Sequence, residues 1–341
     1  MRVFNVGSGD WDERIVKATD HQEMKPMAIT SKSATTANSN GDYALGYTNS
    51  EQERLIRQAK RIAPYTERLF REAGIGPGQR VLDLGSGVGD VSMLLARMVG
   101  PSGQVVGIER DASSIARANA RVNEAGLRNV KFTQADVNQI VSEQPFDAAV
   151  GRFILMFLPD PVSVLRSLTR LVRPGGILAF QEPTWIPFLA FGARFPLWSK
   201  LLHTIHETFL RSGVNPEMGI ALYNMFQDVG LPAPAMHVET PLGRDESFTS
   251  LVCDLIGSVR PLAQQHGVSL DALGNLDTLS DRIQAEVAGA NTVVSFVPMV
   301  GVWAQKPLHT EKRQFGRSKS GSGSATNSAT SIAIPNDHRE A

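Results

Sequence analysis

Val81-Leu82-Asp83-Leu84-Gly85-Ser86-Gly87-Val88-Gly89-Asp90 is the stretch on which the reading of the chain turns. An apolar strand runs straight into a glycine-rich turn, and Val91, Leu94, Leu95 and Met98 then recur at helical spacing. Strand, tight turn and helix in direct succession make a cradle of the nucleotide-binding type. Glycines at alternate positions leave no Cβ in the way. A ligand can therefore lie against the backbone amides and the N-terminus of the following helix.

The details select the ligand. A dinucleotide fingerprint spaces its glycines G-x-G-x-x-G so that a pyrophosphate sits on the helix N-terminus. Here the third glycine is Gly89, and Asp90 stands where that pattern needs glycine. No Lys-Ser or Lys-Thr pair follows the glycines, so a P-loop is excluded as well. The carboxylate of Asp83 would repel a phosphate but suits a ligand carrying an ammonium and a sulfonium. S-adenosylmethionine is such a ligand.

On these residues the chain resembles the class I S-adenosylmethionine-dependent methyltransferases, and further segments match the family in order. Gln104 to Ile108 reads as a second strand ending at Glu109, twenty residues after Gly89. An acid there can accept both ribose hydroxyls, as in a Rossmann fold. Val130 to Ala135 reads as a third strand ending at Asp136, which in the family meets the adenine amino group. Phe146 to Val150 leads into Gly151-Arg152-Phe153, and Gly176 to Phe180 follows the turn Arg173-Pro174-Gly175-Gly176. The resemblance covers residues 45 to 183 closely and the end near 305 more loosely. It implies S-adenosyl-L-methionine as cofactor, held against Tyr47, Asp83, Gly85, Ser86, Gly87, Gly89, Glu109, Arg110, Asp136, Val137 and Arg152. For Arg110 the alternative is an ordinary surface arginine.

Helical segments lie between the strands at Pro64 to Ala73, Val91 to Met98, Ala112 to Ala125 and Pro161 to Leu171. Strands alternating with helices imply parallel pairing through right-handed crossovers. Asp111 is the expected N-cap of the Ala112 helix, placing Glu109 and Arg110 at the strand end facing the ligand crevice. The expected fold is a doubly wound α/β domain with a seven-stranded Rossmann-like sheet and a helical substrate cap. In the family the last strand runs antiparallel.

Composition narrows the partners. Of 341 residues, 42% are apolar and 20% charged, ordinary values for a soluble globular protein. Thirty-four basic residues balance thirty-four acidic ones, leaving no global field to draw in nucleic acid. Cys253 is the only cysteine, which excludes an intramolecular disulfide and a thiolate metal cluster and points to the cytoplasm. The first residues form too short an apolar run for a signal peptide, and no segment reaches the about 18 consecutive apolar residues of a membrane span. Residues 1–42, with a Ser/Thr/Asn-rich linker over 29–42, are expected to be a flexible extension. A methyltransferase domain over 43–308 and a disordered tail over 309–341 follow. Ser50 and Glu53 read as a capping box opening a helix past Arg61. Tyr47, just before it, is a candidate cofactor or substrate contact, or packs at the helix entry.

The acceptor side begins at Gly151-Arg152-Phe153-Ile154. Enzymes that methylate adenine N6 or glutamine amides carry an Asn or Asp-Pro-Pro-aromatic motif here, which is absent. Leu155 to Asp160 resembles instead the small-molecule enzymes of the ubiquinone and menaquinone group, with Met156 where many relatives have His. Residues 184–235 concentrate aromatic rings in a chain that averages 7%, suggesting a cap that roofs an apolar or aromatic substrate, or rings that pack the cap's own helices. Leu197, Leu201, Leu202, Ile205 and Phe209 share one helical face. His203 and His206 lie one turn apart off that face, with no third ligand in sight, so no metal site is assigned.

Glu182, at the end of the fifth strand, is a candidate general base, with His203 and His206 as competitors. Its alternative role is to cap the strand end. Met236 to Thr240 reads as the sixth strand, and 245–264 and 269–288 as helices within the further helical region 245–288. Thr292 to Phe296 with Met299 to Ala304 reads as the closing strand. The function implied is methyl transfer to an O, N or C atom of a small apolar or aromatic molecule. The alternatives are methylation of a protein or RNA, and a non-catalytic S-adenosylmethionine-binding regulator.

Overall fold

The computed structural model describes residues 44–308, so the expectations for the 1–42 extension and the 309–341 tail lie outside the described residues. Five parallel strands carry the first half: β1 (Arg80–Leu84), β2 (Gln104–Glu109), β3 (Val130–Gln134), β4 (Phe146–Arg152) and β5 (Val172–Pro183). They alternate with α2 (Asp90–Val99), α3 (Ala112–Glu124) and α4 (Pro161–Leu171), after an N-terminal α1 (Asn49–Glu72). Two later strands complete the sheet, β6 (Ala235–Glu239) and β9 (Met299–Gln305). The order is β3-β2-β1-β4-β5-β9-β6, with β9 antiparallel to both neighbours. This is the seven-stranded Rossmann-like sheet expected from the sequence, with the last strand reversed.

The central strands β1, β4 and β5 are largely apolar because both their faces are covered, whereas β3 and β6 at the sheet edges are more exposed. On one face Val81, Val105, Ala148, Val150 and Ala179 pack with Leu69 and Phe70 of α1 and Leu95 and Met98 of α2. On the other, Leu82, Leu84, Ala149, Leu178 and Phe180 pack with Val164, Leu165 and Leu168 of α4 and with the cap. The chain leaves β1 towards β2 on one side and returns to β4 on the other. The crevice for a ligand in such a sheet opens outside the strand ends at this switch point.

The cap consists of α5 (Ile186–Gly192), α6 (Pro196–Ser212), α8 (Glu246–Gln265) and α9 (Leu279–Gly289), whereas α7 (Met218–Asp228) packs on β5 and β9, with Phe226 edge-on to Phe180 at 6.4 Å. Of the cap's rings Phe188, Phe195, Trp198 and Phe209 are buried together with Trp185, whereas Phe191 and, on α7, Tyr223 are exposed. Leu201, Leu202, Ile205 and Phe209 form the buried face of α6. Asp111 caps α3 as expected, accepting from Ser114 N at 2.6 Å.

Four local expectations are corrected. The N-cap of α1 is Thr48, whose hydroxyl accepts from Glu51 N at 3.2 Å; Ser50 lies inside the helix, and Glu53 pairs with Arg117 instead of closing a capping box. Pro64 does not begin a new helix but sits within α1, whose flanking turns are anchored by buried Ile62, Leu69 and Phe70. The helix expected from Ser269 starts only at Leu279, because a 3-10 turn at Asp271–Leu273 and Gly274 at φ 66° interrupt it. Finally, Val294–Ser295 (β8) leaves the main sheet and pairs with Leu242–Gly243 (β7), so β9 alone closes the sheet.

Candidate active site

The turn after β1 is left-handed at each alternate residue, with φ of 63° at Gly85, 51° at Gly87 and 88° at Gly89. That conformation favours glycine at all three positions. At Gly85 a Cβ would also meet the side chain of Ile154 at 2.6 Å, and at Gly89 it would press on Ala118 and Phe132 at 3.1 Å. Nothing lies within 4 Å of a Cβ placed at Gly87, so the middle of the turn faces open space. Ser86 is buried and its Oγ has no hydrogen-bond partner. Gly89 opens α2 without a side-chain cap, leaving the first amides of the helix available to a ligand.

Three acids surround this turn. Asp83 is 1% exposed and accepts a hydrogen bond from Ser92 Oγ at 2.5 Å. Burial pushes its carboxyl up to about 7, against the opposing pull of the Ser92 hydrogen bond and the Arg152 charge. Glu109, at the end of β2, reaches back to the turn: its Oε2 accepts from Gly87 N at 2.9 Å, and its Oε1 from Arg110 N at 2.8 Å and Asp111 N at 3.0 Å. It thus ties the glycine turn to the start of α3, and Oε2 keeps acceptor capacity beyond its one bond. Asp136, just past β3, is exposed and closes an Asx turn through Oδ1, accepting from Asn138 N at 2.7 Å and Nδ2 at 2.8 Å. Val137 is partly buried against the core.

The beginning of α1 bends over the same edge. Tyr47 OH accepts from Arg110 Nε at 2.6 Å, Gln52 Nε2 donates to Ser113 Oγ at 3.2 Å, and Arg117 pairs with Glu53. Burial raises the Tyr47 phenol, and the hydrogen bond from Arg110 opposes that shift. Arg152, at the end of β4, donates from Nη1 to Thr66 Oγ1 of α1 at 3.1 Å. Burial lowers its pKa, and the charges of Asp90 and Asp83 act against the loss of its proton.

The three acceptor-side candidates do not form one constellation. Glu182 is fully buried, and its Oε1 accepts from Ile154 N and Leu155 N, both at 2.9 Å, while Oε2 has no partner. Burial pushes this carboxyl up to about 7, against the backbone hydrogen bonds. It holds the loop after β4, where Phe153 adopts φ 52° and Ile154 packs on Gly85. His203 is exposed and folds back on its own helix, with Nδ1 at 2.8 Å from Ser199 O. His206 is half-buried and stacks on Trp185 with centroids 6.1 Å apart. Burial lowers its pKa, Glu217 opposes and His203 reinforces. Among the described residues no group of three His, Cys, Asp or Glu side chains is placed to hold a metal.

Several residues escaped the sequence reading. Glu217 accepts from Trp185 N at 2.8 Å, Ile186 N at 2.9 Å and the Thr184 hydroxyl, fixing the entry to α5. Ser92 holds Asp83, and Thr66, itself bonded to Gln181, holds Arg152. Of these only Ser92, one helical turn into α2, lay close enough in sequence to be found from spacing.

The left-handed turn open at Gly87, the unpartnered Ser86 Oγ, the available helix N-terminus and the acids on adjacent strand ends suit S-adenosylmethionine. Comparison with known proteins agrees with that set. A family model described as a methyltransferase domain matches residues 75–227. A demethylmenaquinone methyltransferase from Bacillus cytotoxicus is 29% identical over 184 residues, 50% of this chain and 78% of the relative. A ubiquinone/menaquinone biosynthesis C-methyltransferase from Pseudomonas syringae pv. tomato is 35% identical over 181 residues, 48% of this chain and 70% of the relative. An arsenite methyltransferase from Aquipseudomonas alcaligenes is 38% identical over 113 residues, 31% of this chain and 33% of the relative.

Proposed function

The chain belongs to the class I S-adenosylmethionine-dependent methyltransferases, in their ubiquinone/menaquinone-like group, and from that premise we propose how it holds its cofactor and what it methylates. S-adenosylmethionine supplies a methyl group already activated on a sulfonium, so the protein's task is to bind, align and exclude water.

One observation carries the cofactor reading: Asp83, Glu109 and Asp136 stand at the ends of three adjacent parallel strands around the glycine turn. In the proposed binding mode Asp136 and Val137 receive the adenine and Glu109 the ribose. Gly85, Ser86, Gly87 and Gly89 form the floor under the thioether, and Asp83 and Arg152 meet the ammonium and carboxylate of the amino-acid end. Tyr47, just before α1, and Arg110, just after β2, cover the nucleoside edge.

For the acceptor we propose a small, apolar, aromatic molecule. The support is the ring cluster at the ends of β4 and β5, where Phe209 packs edge-on against Phe157 and Trp185 and His206 stacks on Trp185. The names of the relatives, which refer to demethylmenaquinone and to ubiquinone and menaquinone biosynthesis, point the same way. His206, whose pKa burial lowers, is the group beside these rings assigned to accept a proton from such a molecule. Glu182 is assigned the shaping of the 154–156 loop and His203 a solvated position. The protein is proposed to act in the cytoplasm without nucleic acid partners; no helix among the described residues is long and apolar enough to cross a membrane.

The test is to incubate the purified protein with S-adenosylmethionine and fractionated small-molecule extracts and follow masses. Gain of one CH2 by an apolar aromatic compound is expected, and gain confined to polypeptide or RNA would overturn the acceptor class.

A further inference from the structure

Arg152 closes β4 beside the glycine turn, and its guanidinium is held from behind. Its strand neighbours on the same face are Ala148 and Val150, which pack towards α1 and α2, so Arg152 points to that side too. Gln181 of β5 lies directly opposite Arg152 in the parallel register, and Thr66 descends from α1 onto both. Thr66 Oγ1 accepts from Arg152 Nη1 at 3.1 Å and donates to Gln181 Oε1 at 2.7 Å, a shorter contact than the 3.3 Å to its other acceptor, Ile62 O of the same helix.

Thr66 and Gln181 are completely buried, whereas Arg152 is partly exposed at the crevice. Among the described residues the Arg152 side chain makes no other hydrogen bond and no ion pair, although the Asp83 and Asp90 charges act on it. Most of its five N–H donors therefore remain free to face the crevice. Gln181 Nε2 is buried without a partner, which leaves one more donor in the same layer.

We propose that Thr66 is a positioning residue for cofactor binding: backed by Gln181, its hydroxyl aims the Arg152 guanidinium at the carboxylate of the cofactor's amino-acid end. The inference rests on the cofactor site proposed above, where Arg152 meets the carboxylate, and adds to it the residue of α1 that sets the aim of that guanidinium. The charge pattern requires such a device. Asp83 on the next strand attracts the ammonium of the same amino-acid end, and an unrestrained Arg152 would swing onto the Asp83 or Asp90 carboxylate and cancel it.

The experiment is calorimetric titration of the full-length protein with S-adenosylhomocysteine and with its decarboxylated analogue, which keeps the nucleoside, thioether and ammonium. In Thr66→Val the affinity for S-adenosylhomocysteine should fall about three- to tenfold, the scale of a hydrogen bond to a charged group only partly lost. Binding of the decarboxylated analogue should not change. Thr66→Ser should restore wild-type affinity, and in an Arg152→Met background Thr66→Val should have no further effect.

Equal weakening of both ligands would show a merely structural role, and unchanged S-adenosylhomocysteine affinity would remove the subsite; either result overturns the proposal. Should Thr66→Val not fold, Thr66→Ala, which also removes the hydroxyl, is read against the same two ligands with the same criteria. Failure of the wild-type protein to bind S-adenosylhomocysteine at all would instead overturn the underlying cofactor site.

Discussion

Cofactor affinity should depend on pH through Asp83, and the structure sets the size of the effect. The carboxyl is 1% exposed and held up to about 7, because the loss of hydration outweighs the Ser92 hydrogen bond and the Arg152 charge. At neutral pH the free protein therefore carries this group about half protonated. A ligand bearing an ammonium and a sulfonium favours the ionised carboxylate, so binding should expel the proton. Below the free-state pKa each pH unit should weaken the affinity for S-adenosylmethionine about tenfold, or about 1.4 kcal/mol. Above about pH 8 the contribution of Asp83 should level off.

Calorimetric titrations between pH 5.5 and 8.5 in buffers of different ionisation enthalpy should register close to one proton released at the acid end and none at the alkaline end (about one per site by linkage). Asp83→Asn should bind more weakly and without this slope. Ser92→Ala, which removes the hydrogen bond that lowers the pKa, should move the midpoint to higher pH. A wild-type affinity flat across the range, with no proton released, would refute the reasoning. Either the carboxylate would then be ionised throughout or it would not meet the ligand's charge.

Three further outcomes are expected. Glu109→Ala should lower cofactor affinity by about 1.5–3 kcal/mol, the cost of losing charge-assisted hydrogen bonds, and unchanged affinity for S-adenosylhomocysteine would exclude Glu109 from the site. The Glu182 carboxyl, raised to about 7 by burial, contributes stability that is full below its unfolded pKa and lost as pH rises through the folded one, by up to about 3 kcal/mol. Glu182→Gln should therefore flatten part of the loss of melting temperature between pH 5 and 8, and an identical slope in both proteins would show the group is not buried in ionisable form. Trp198, completely buried where α5 and α6 meet, should cost about 3–5 kcal/mol on replacement by Ala. Cofactor affinity measured well below the melting temperature should survive that change, since the cap core is distinct from the strand ends.

What could be read in the chain was local. The strand, glycine turn and helix from Val81 to Met98 need only neighbours in sequence to define them, and they appear where expected. Glu109 and Asp111 were legible for the same reason, being fixed by the end of one strand and the start of one helix. Where two local signals competed, the tertiary contact decided. Ser50 with Glu53 has the spacing of a capping box, but Glu53 pairs with Arg117 of α3 and the cap is Thr48. Val294–Ser295 carries strand residues, yet its partner β7 lies outside the sheet, and no periodicity could have said so.

The acceptor half resists reading for a further physical reason. A cofactor of constant chemistry demands an acid here and a left-handed glycine there, and these demands leave residue types at fixed strand ends. The cap must first bury itself, and rings such as Phe188 and Trp198 answer to packing whatever lies beneath them. Glu182 shows how the two demands diverge. Its place at the end of β5 fits a base, but both backbone amides it accepts belong to the loop after β4, twenty-seven and twenty-eight residues earlier. A carboxylate so engaged, out of solvent and against apolar neighbours, sets the course of that loop and with it the position of Ile154 against Gly85. Its effect on methyl transfer should thus appear as altered alignment: Glu182→Gln, which keeps a carbonyl acceptor for the two amides, should retain turnover, whereas Glu182→Ala should lose it. Equal loss in both variants, measured at saturating cofactor, would return the carboxylate to the role of base.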